Sequence, residues 1–329
     1  MSRVGLGILL LMALLASVVL GVRFGSVDLS TAQVLAALTG GGSEWQRTIV
    51  VELRLPRMLL GALVGGGLAL AGATFQALLR NPLAEPYILG ISGGASVGAV
   101  SLLALGLAGT ASWALPLAAL AGALLAIALV FGVATASGRS LDVRVLLLAG
   151  VVVAAFFSAC IAFILSISEA RTVQSAVLWI MGSLAGATWA SVGITAAYTL
   201  PAAALLLGLA RPLNLMAIGE ETAHYLGADV ERVKRFALVL AALLTAAGVA
   251  VAGVIGFVGL VVPHGIRLLV GSDHRALLPL SFLGGATFLA LSDVVAQLVL
   301  APTQVPVGVI TAFVGVPLFL VLLRRSVVS

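Results

Sequence analysis

The stretch IGFVGLVVPHGIRLLV, residues 255–270, decides how this chain is arranged. It is apolar enough for a membrane interior. Gly256, Gly259, Pro263 and Gly265 interrupt it, and it is short for a full crossing. A helix needs roughly 20 apolar residues to span the hydrocarbon core. Nine other stretches come close to that length: 4–22, 57–79, 88–107, 113–136, 143–167, 189–209, 236–254, 277–300 and 307–323. The question is whether 255–270 makes a tenth.

Arginine placement answers it. With ten spans and a cytoplasmic N-terminus, the inner side carries Arg3, Arg80, Arg139, Arg144, Arg211, Arg232, Lys234, Arg235, Arg267, Arg275, Arg324 and Arg325. The outer side carries Arg23, Arg47, Arg54, Arg57 and Arg171, a split of 12 to 5 that accounts for all 17 basic residues. Nine spans would give 8 to 9. Basic residues gather on the cytoplasmic side, so ten spans with both termini cytoplasmic is the reading. A broken helix is tolerated where protein or water satisfies its freed backbone groups.

Composition agrees. Of 329 residues, 62% are hydrophobic and 9% charged, and the mean hydropathy is +1.25. Soluble domains carry about 25% charged residues, so a soluble, disordered or nucleic-acid-binding chain is excluded. The expected class is an all-α polytopic membrane protein, one transmembrane domain over 1–329. The apolar run behind Arg3 resembles a signal peptide, but it is long for one and lacks a clear cleavage site, so it is read as a retained first span. The lone Cys160 supports no disulfide.

Three loops are long. Residues 24–50 lie outside, with a short capped helix over 31–38 ended by glycines. Residues 168–188 also lie outside, with Trp179 inside them and Trp189 just beyond, both suited to an interface. Residues 211–235 lie inside and are the most polar stretch. They read as two short helices, 220–226 and 229–235, forming a knob that can seat in another protein. An echo at an offset of 181 places Gly67, Gly72 and Pro82 on Gly248, Gly253 and Pro263, in the sense of an inverted repeat.

The chemistry is sparse. No phosphate-cradling G-x-x-x-x-G-K-[ST] loop exists, so the chain hydrolyses no nucleotide by itself. His224, His264 and His274 lack metal-ligand spacing, and His264 reads as a satisfied structural histidine. Asp293 is the carboxylate deep in a span; it relays protons or accepts hydrogen bonds near a helix end.

Four motifs remain. RLPR (54–57) leads to QALLRNPLAEPYILGISGGA (76–95), where Pro82 and Pro86 enforce a turn on the cytoplasmic side and Asn81 and Pro82 are candidate pathway residues. Ser92, Gly93 and Gly94 there make a thin-walled helix start at which a pathway could open. NLMAIGEETAHYLGADVERVKR (214–235) holds the knob. GVIGFVGLVVPHGIR (253–267), with Pro263 and His264, is followed by SDHR (272–275) and Asp293. VPVGVITAFVGVP (305–317) closes the set.

In order and content these segments resemble the FecCD family, the permeases of type II ABC importers for iron chelates, haem and vitamin B12. The resemblance runs from about Val27 to Arg325. It implies a ten-helix subunit of a bacterial cytoplasmic membrane, working as a homodimer or a pseudo-dimer of two related permeases. Two ATP-binding cassette subunits would sit beneath it and use ATP and Mg, while this chain binds no cofactor or metal. One substrate-binding protein would dock above. Gly219, Glu220, Glu221, Ala223, Leu226 and Gly227 match the family's coupling segment. Arg54 and Arg57 match two outer arginines that receive acidic residues of the binding protein, and Gln297 stands where a third often falls. Ferric siderophore, haem and cobalamin are the substrates implied, in that order. A proton-coupled secondary transporter is the alternative class, resting on Asp293 and the repeat.

Overall fold

The computed structural model describes residues 2–135, 143–227 and 229–328, and its regular structure there is entirely helical. Arg139, one of the expected inner-face arginines, lies outside the described residues. Helix α1 (Arg3–Arg23) starts on Ser2, whose hydroxyl accepts the Gly5 N–H. Helix α2 (Thr31–Leu38) is the expected capped helix. Ser30 Oγ accepts the Gln33 N–H while Gln33 Oε1 accepts the Ser30 N–H, a reciprocal capping box.

The next element corrects the expected loop. Helix α3 (Glu44–Arg47), a π-helical stretch (Thr48–Arg54) and α4 (Leu55–Leu78) form one 35-residue rod. Pro56 cannot donate to the carbonyl four residues back. Bonding widens just before it, with the Leu55 N–H reaching Val50 O. The helix therefore continues through the proline instead of starting at it.

A 3-10 turn (Pro86–Leu89) leads into α5 (Ile91–Ala104). Then come α6 (Ala114–Thr135), α7 (Val143–Ser166), α8 (Ala170–Ile180) and α9 (Trp189–Gly208). Helices α10 (Ala210–Ile218) and α11 (Glu220–Tyr225) precede α12 (Val230–Ala252). Helices α13 (Val258–Val270), α14 (His274–Leu298) and α15 (Val307–Val328) complete the chain. Among the described residues seven helices are long and apolar enough to cross a membrane, and α5, α13 and the Val307–Val321 part of α15 supply three shorter apolar segments.

The second short helix expected at 229–235 is not separate. Asp229 caps α12 by accepting the Arg232 N–H at 3.1 Å, and no breaker follows Arg235, so the charged turns run straight into the span.

Helix α4 is the axis of the bundle, buried along most of its length. Small residues set how closely its neighbours approach. Gly65 faces the backbone of Gly285 in α14, and Gly72 faces that of Gly259 in α13; a Cβ at any of the four would meet backbone or a packed side chain. Gly67 and Gly248, matched by the sequence echo, lie at one crossing. A Cβ on Gly67 would lie 3.8 Å from Leu244 of α12, and one on Gly248 3.6 Å from Val64 of α4. The two helices run antiparallel, as an inverted repeat requires.

Most paired charged side chains sort to the two ends. At one end Arg3 bonds Asp273 at 2.8 Å, Asn214 bonds Asp273 at 2.8 Å, and Arg80 and Lys234 meet Glu220. At the other lie Arg23, Arg54, Arg57 and Asp293. Helix α13 begins at the level of Gly72, partway along α4, and ends beside the Asp273 end. Residues 253–257 form a non-helical lead-in from the far end. The broken stretch thus traverses the bundle as a lead-in plus a half-helix.

Candidate functional site

The knob at the Asp273 end is built by two glycines. Gly219 (φ 147°) ends α10 and starts α11; Gly227 (φ 86°) turns the chain after it. Both angles are ones that other residues rarely adopt. Ala223 is fully buried and anchors α11 on the bundle. Glu220 is tied to Lys234 of α12, and to Arg80 at 3.6 Å. Arg80 also donates to Met216 O at 3.1 Å. Glu221 points outward, and Ile218, Tyr225 (80% exposed) and Leu226 (61% exposed) form an apolar tip. A rigid, charged base beneath an apolar tip suits insertion into a groove.

At the opposite end the structure corrects the outward-facing arginines. Arg54 is buried and donates to Val22 O and Arg23 O, each at 3.0 Å, and to Val27 O. The Val22 and Arg23 carbonyls end α1, which has no donors of its own there, so a cation closing the C-terminus is favoured. Arg57 turns into the bundle and grips Asp293 with two bonds, Nε to Oδ2 at 2.7 Å and Nη2 to Oδ1 at 2.8 Å. Its Nη1 reaches Gln304 at 2.7 Å, and Gln297 donates to Asp293 Oδ2 at 2.8 Å. Asp293 is 0% exposed. A buried carboxylate draws its counter-ion inward, which is why Arg57 does not face water.

Between the ends, two motifs that are far apart in sequence interlock. Pro263 has no N–H, so the Gly259 carbonyl four residues back loses its helical donor. Gln76 Nε2 covers this gap, at 3.4 Å from Gly259 O and 3.2 Å from Leu260 O. Tyr87 Oη donates to Ile255 O at 3.0 Å and accepts the Ile255 N–H at 3.1 Å. Glu85 Oε1 accepts the Phe257 N–H at 3.0 Å. Glu85, Tyr87 and Gln76 were not singled out from the sequence. For Gln76 the signal was there in Pro263, which orphans the Gly259 carbonyl and so calls for an outside donor.

The expected pathway residues fare unevenly. Asn81 builds the turn, its Oδ1 accepting the Leu83 N–H at 2.9 Å, and Pro82 is exposed in it. Gly94 is no thin wall: it packs on the backbone of Gly122 in α6. A Cβ on Gly93 would lie 3.3 Å from Phe157 of α7, and Ser92 is half-buried beside it. Pro263 is buried. His264 is buried too, yet neither ring nitrogen finds a partner, so it is not the satisfied histidine expected. Among the described residues no group of three or more His, Cys, Asp or Glu could hold a metal.

Residues 11–325 match the model of a family described as the FecCD transport family. A cobalamin import system permease protein of Halobacterium salinarum is 45% identical over 294 residues, 89% of this chain and 78% of that one. The hemin transport system permease protein of Yersinia pestis is 40% identical over 98% of this chain and 96% of its own. A solved structure described as an inward-facing conformation of an ABC transporter of metal-chelate type is 31% identical. It superposes with a TM-score of 0.86 over 98% of this chain and 100% of that one.

Proposed function

The chain belongs to the FecCD transport family, and on that premise we propose that it conducts a metal tetrapyrrole, cobalamin or haem, delivered by a binding protein. It is the membrane-spanning permease subunit of an ABC importer, seated in the cell membrane. The match over 11–325 carries the importer reading. The substrate reading rests on the relatives, one named for cobalamin and one for hemin. These two move ahead of ferric siderophores, which stood first among the substrates that the resemblance implied.

In this reading the Asp273 end is cytoplasmic. The α11 knob, with Glu220 and Glu221 at its start and Leu226 and Gly227 at its end, seats in an ATP-binding cassette subunit, which binds ATP and Mg. A second copy covers the apolar faces of α7 and α15, where Phe156 and Phe313 stand exposed. Arg54, Arg57 and Gln297 are committed internally, so the binding protein docks on the exposed outer arginines Arg47 and Arg171. Asp293 already accepts three hydrogen bonds from Arg57 and Gln297, which speaks against a proton relay.

Proteoliposomes holding the permease, its ATPase and its binding protein test this. Uptake of cobalamin or haem is expected only with ATP inside. Uptake without ATP refutes the importer, and uptake of a ferric siderophore alone refutes the substrate class.

A further inference from the structure

Among the described residues Phe257 is one of two non-glycine residues with a left-handed backbone, at φ 70°, and it is the N-cap of α13. Such a conformation costs on the order of 1–3 kcal/mol and persists only where the surroundings hold it. Here the holder is visible: the Glu85 carboxylate accepts the Phe257 N–H at 3.0 Å, and Tyr87 clamps both polar groups of Ile255. The other such residue is Arg80, at φ 48°. It lies five positions before Glu85 and is paired with Glu220 of the knob.

Between the two, the chain is stiff. Asn81 accepts the Leu83 N–H through its side chain and the Ala84 N–H, at 3.1 Å, through its backbone. Ala84 is fully buried, and Pro86 packs against Gly259. A displacement of Arg80 therefore reaches Glu85 with little slack. On the far side, the Phe257 side chain lies hard against Gly315 of α15, where a Cβ would approach the Phe257 Cγ to 2.8 Å. Helix α15 and Val254 border an apolar cleft of about 550 Å³, with Gly308, Phe313 and Pro317 among its lining.

We propose that Glu85 is a positioning residue that couples the knob to this cleft. It holds Phe257 in its left-handed turn, so that motion of the 80–85 turn shifts α13 and wedges or releases α15. The inference rests on α11 being the ATPase contact. Coupling is carried by contiguous contacts with discrete arrangements, and only coupling measurements establish it. The left-handed turn, held or released, is that discrete element.

The test uses the reconstituted transporter and reads substrate imported per ATP hydrolysed. Glu85→Gln keeps an acceptor oxygen and is expected to stay within about twofold of the parent. Glu85→Ala is expected to lose about tenfold, as the loss of a hydrogen bond to a charged group implies, while ATP hydrolysis and ATPase association persist. Phe257→Ala is expected to lose as much, and the double variant no more than either single. Should Glu85→Ala fail to assemble, Glu85→Asp keeps the charge but is too short to reach Phe257, and should lose coupling likewise.

Parent-like coupling in Glu85→Ala or Glu85→Asp overturns the proposal, as do losses in the double variant that simply add. An unmodified transporter whose uptake ignores ATP would instead overturn the importer reading, which the parent control exposes separately.

Discussion

The buried Arg57–Asp293 pair offers the sharpest quantitative test. Asp293 receives three charge-assisted or amide hydrogen bonds at 2.7–2.8 Å and has no contact with solvent. Replacing it by Ala leaves the Arg57 guanidinium enclosed, with only Gln304 as partner. An uncompensated buried charge of this kind costs about 3–5 kcal/mol. Removing both charges, as Arg57→Met with Asp293→Leu, avoids that penalty, and such exchanges are often neutral or better by about 1–4 kcal/mol. Reversible unfolding of the purified chain in mixed micelles, driven by added SDS, measures both variants. The expected order is parent and double variant close together, with Asp293→Ala far below. If the double variant falls as far as the single, the energy lies in packing of α4 on α14 and not in the charge. If Asp293→Ala unfolds like the parent, the pair carries no stability at all.

Other expectations follow from the same geometry. Gly72→Leu drives a side chain into the Gly259 backbone and should cost upward of about 1–3 kcal/mol, whereas Gly132→Ala meets nothing within 4 Å and should be neutral or better in the same unfolding assay. Gly227→Pro cannot adopt the φ of 86° and should misplace the knob, seen as loss of ATPase co-purification with the helical content retained. Tyr225→Glu with Leu226→Asp, both exposed, should leave stability unchanged and abolish that co-purification. The Asp273 carboxyl is held below its ordinary 3.8, foremost by the Asn214 amide, then by the Arg275 N–H and by Arg3. A lowered native pKa contributes stability above the unfolded value that disappears as pH falls through the native one. Asp273→Asn should therefore lower stability at neutral pH and flatten the acid limb below about pH 4, where the parent loses that contribution.

Much of the bundle was legible because hydrocarbon imposes length and apolarity on every span. The arginine split identified 255–270 as a crossing, and the structure resolves it into a lead-in and a half-helix. The Ser30–Gln33 box was readable because capping is local. What stayed hidden depends on partners distant in sequence. Arg54 and Arg57 look like surface arginines until α1 and α14 are placed beside them, 31 and 236 residues away in the chain. Glu85 looks like a residue of a cytoplasmic turn until α13 lies across it. The 44–50 stretch read as a loop because Pro56 is ordinarily a helix start, and a widened π turn is invisible to periodicity.

The pairing of Arg54 with the end of α1, and of Arg57 with Asp293, also fixes an order of events during synthesis. When α1 leaves the ribosome, its last carbonyls have only water to bond, and they gain their guanidinium once residue 54 has followed. Arg57 enters the membrane with no counter-ion and waits through more than half the chain for residue 293. A nascent chain halted before α14 thus holds the Arg57 guanidinium near the end of its second span without its carboxylate. That cation is compensated only once most of the chain has been made.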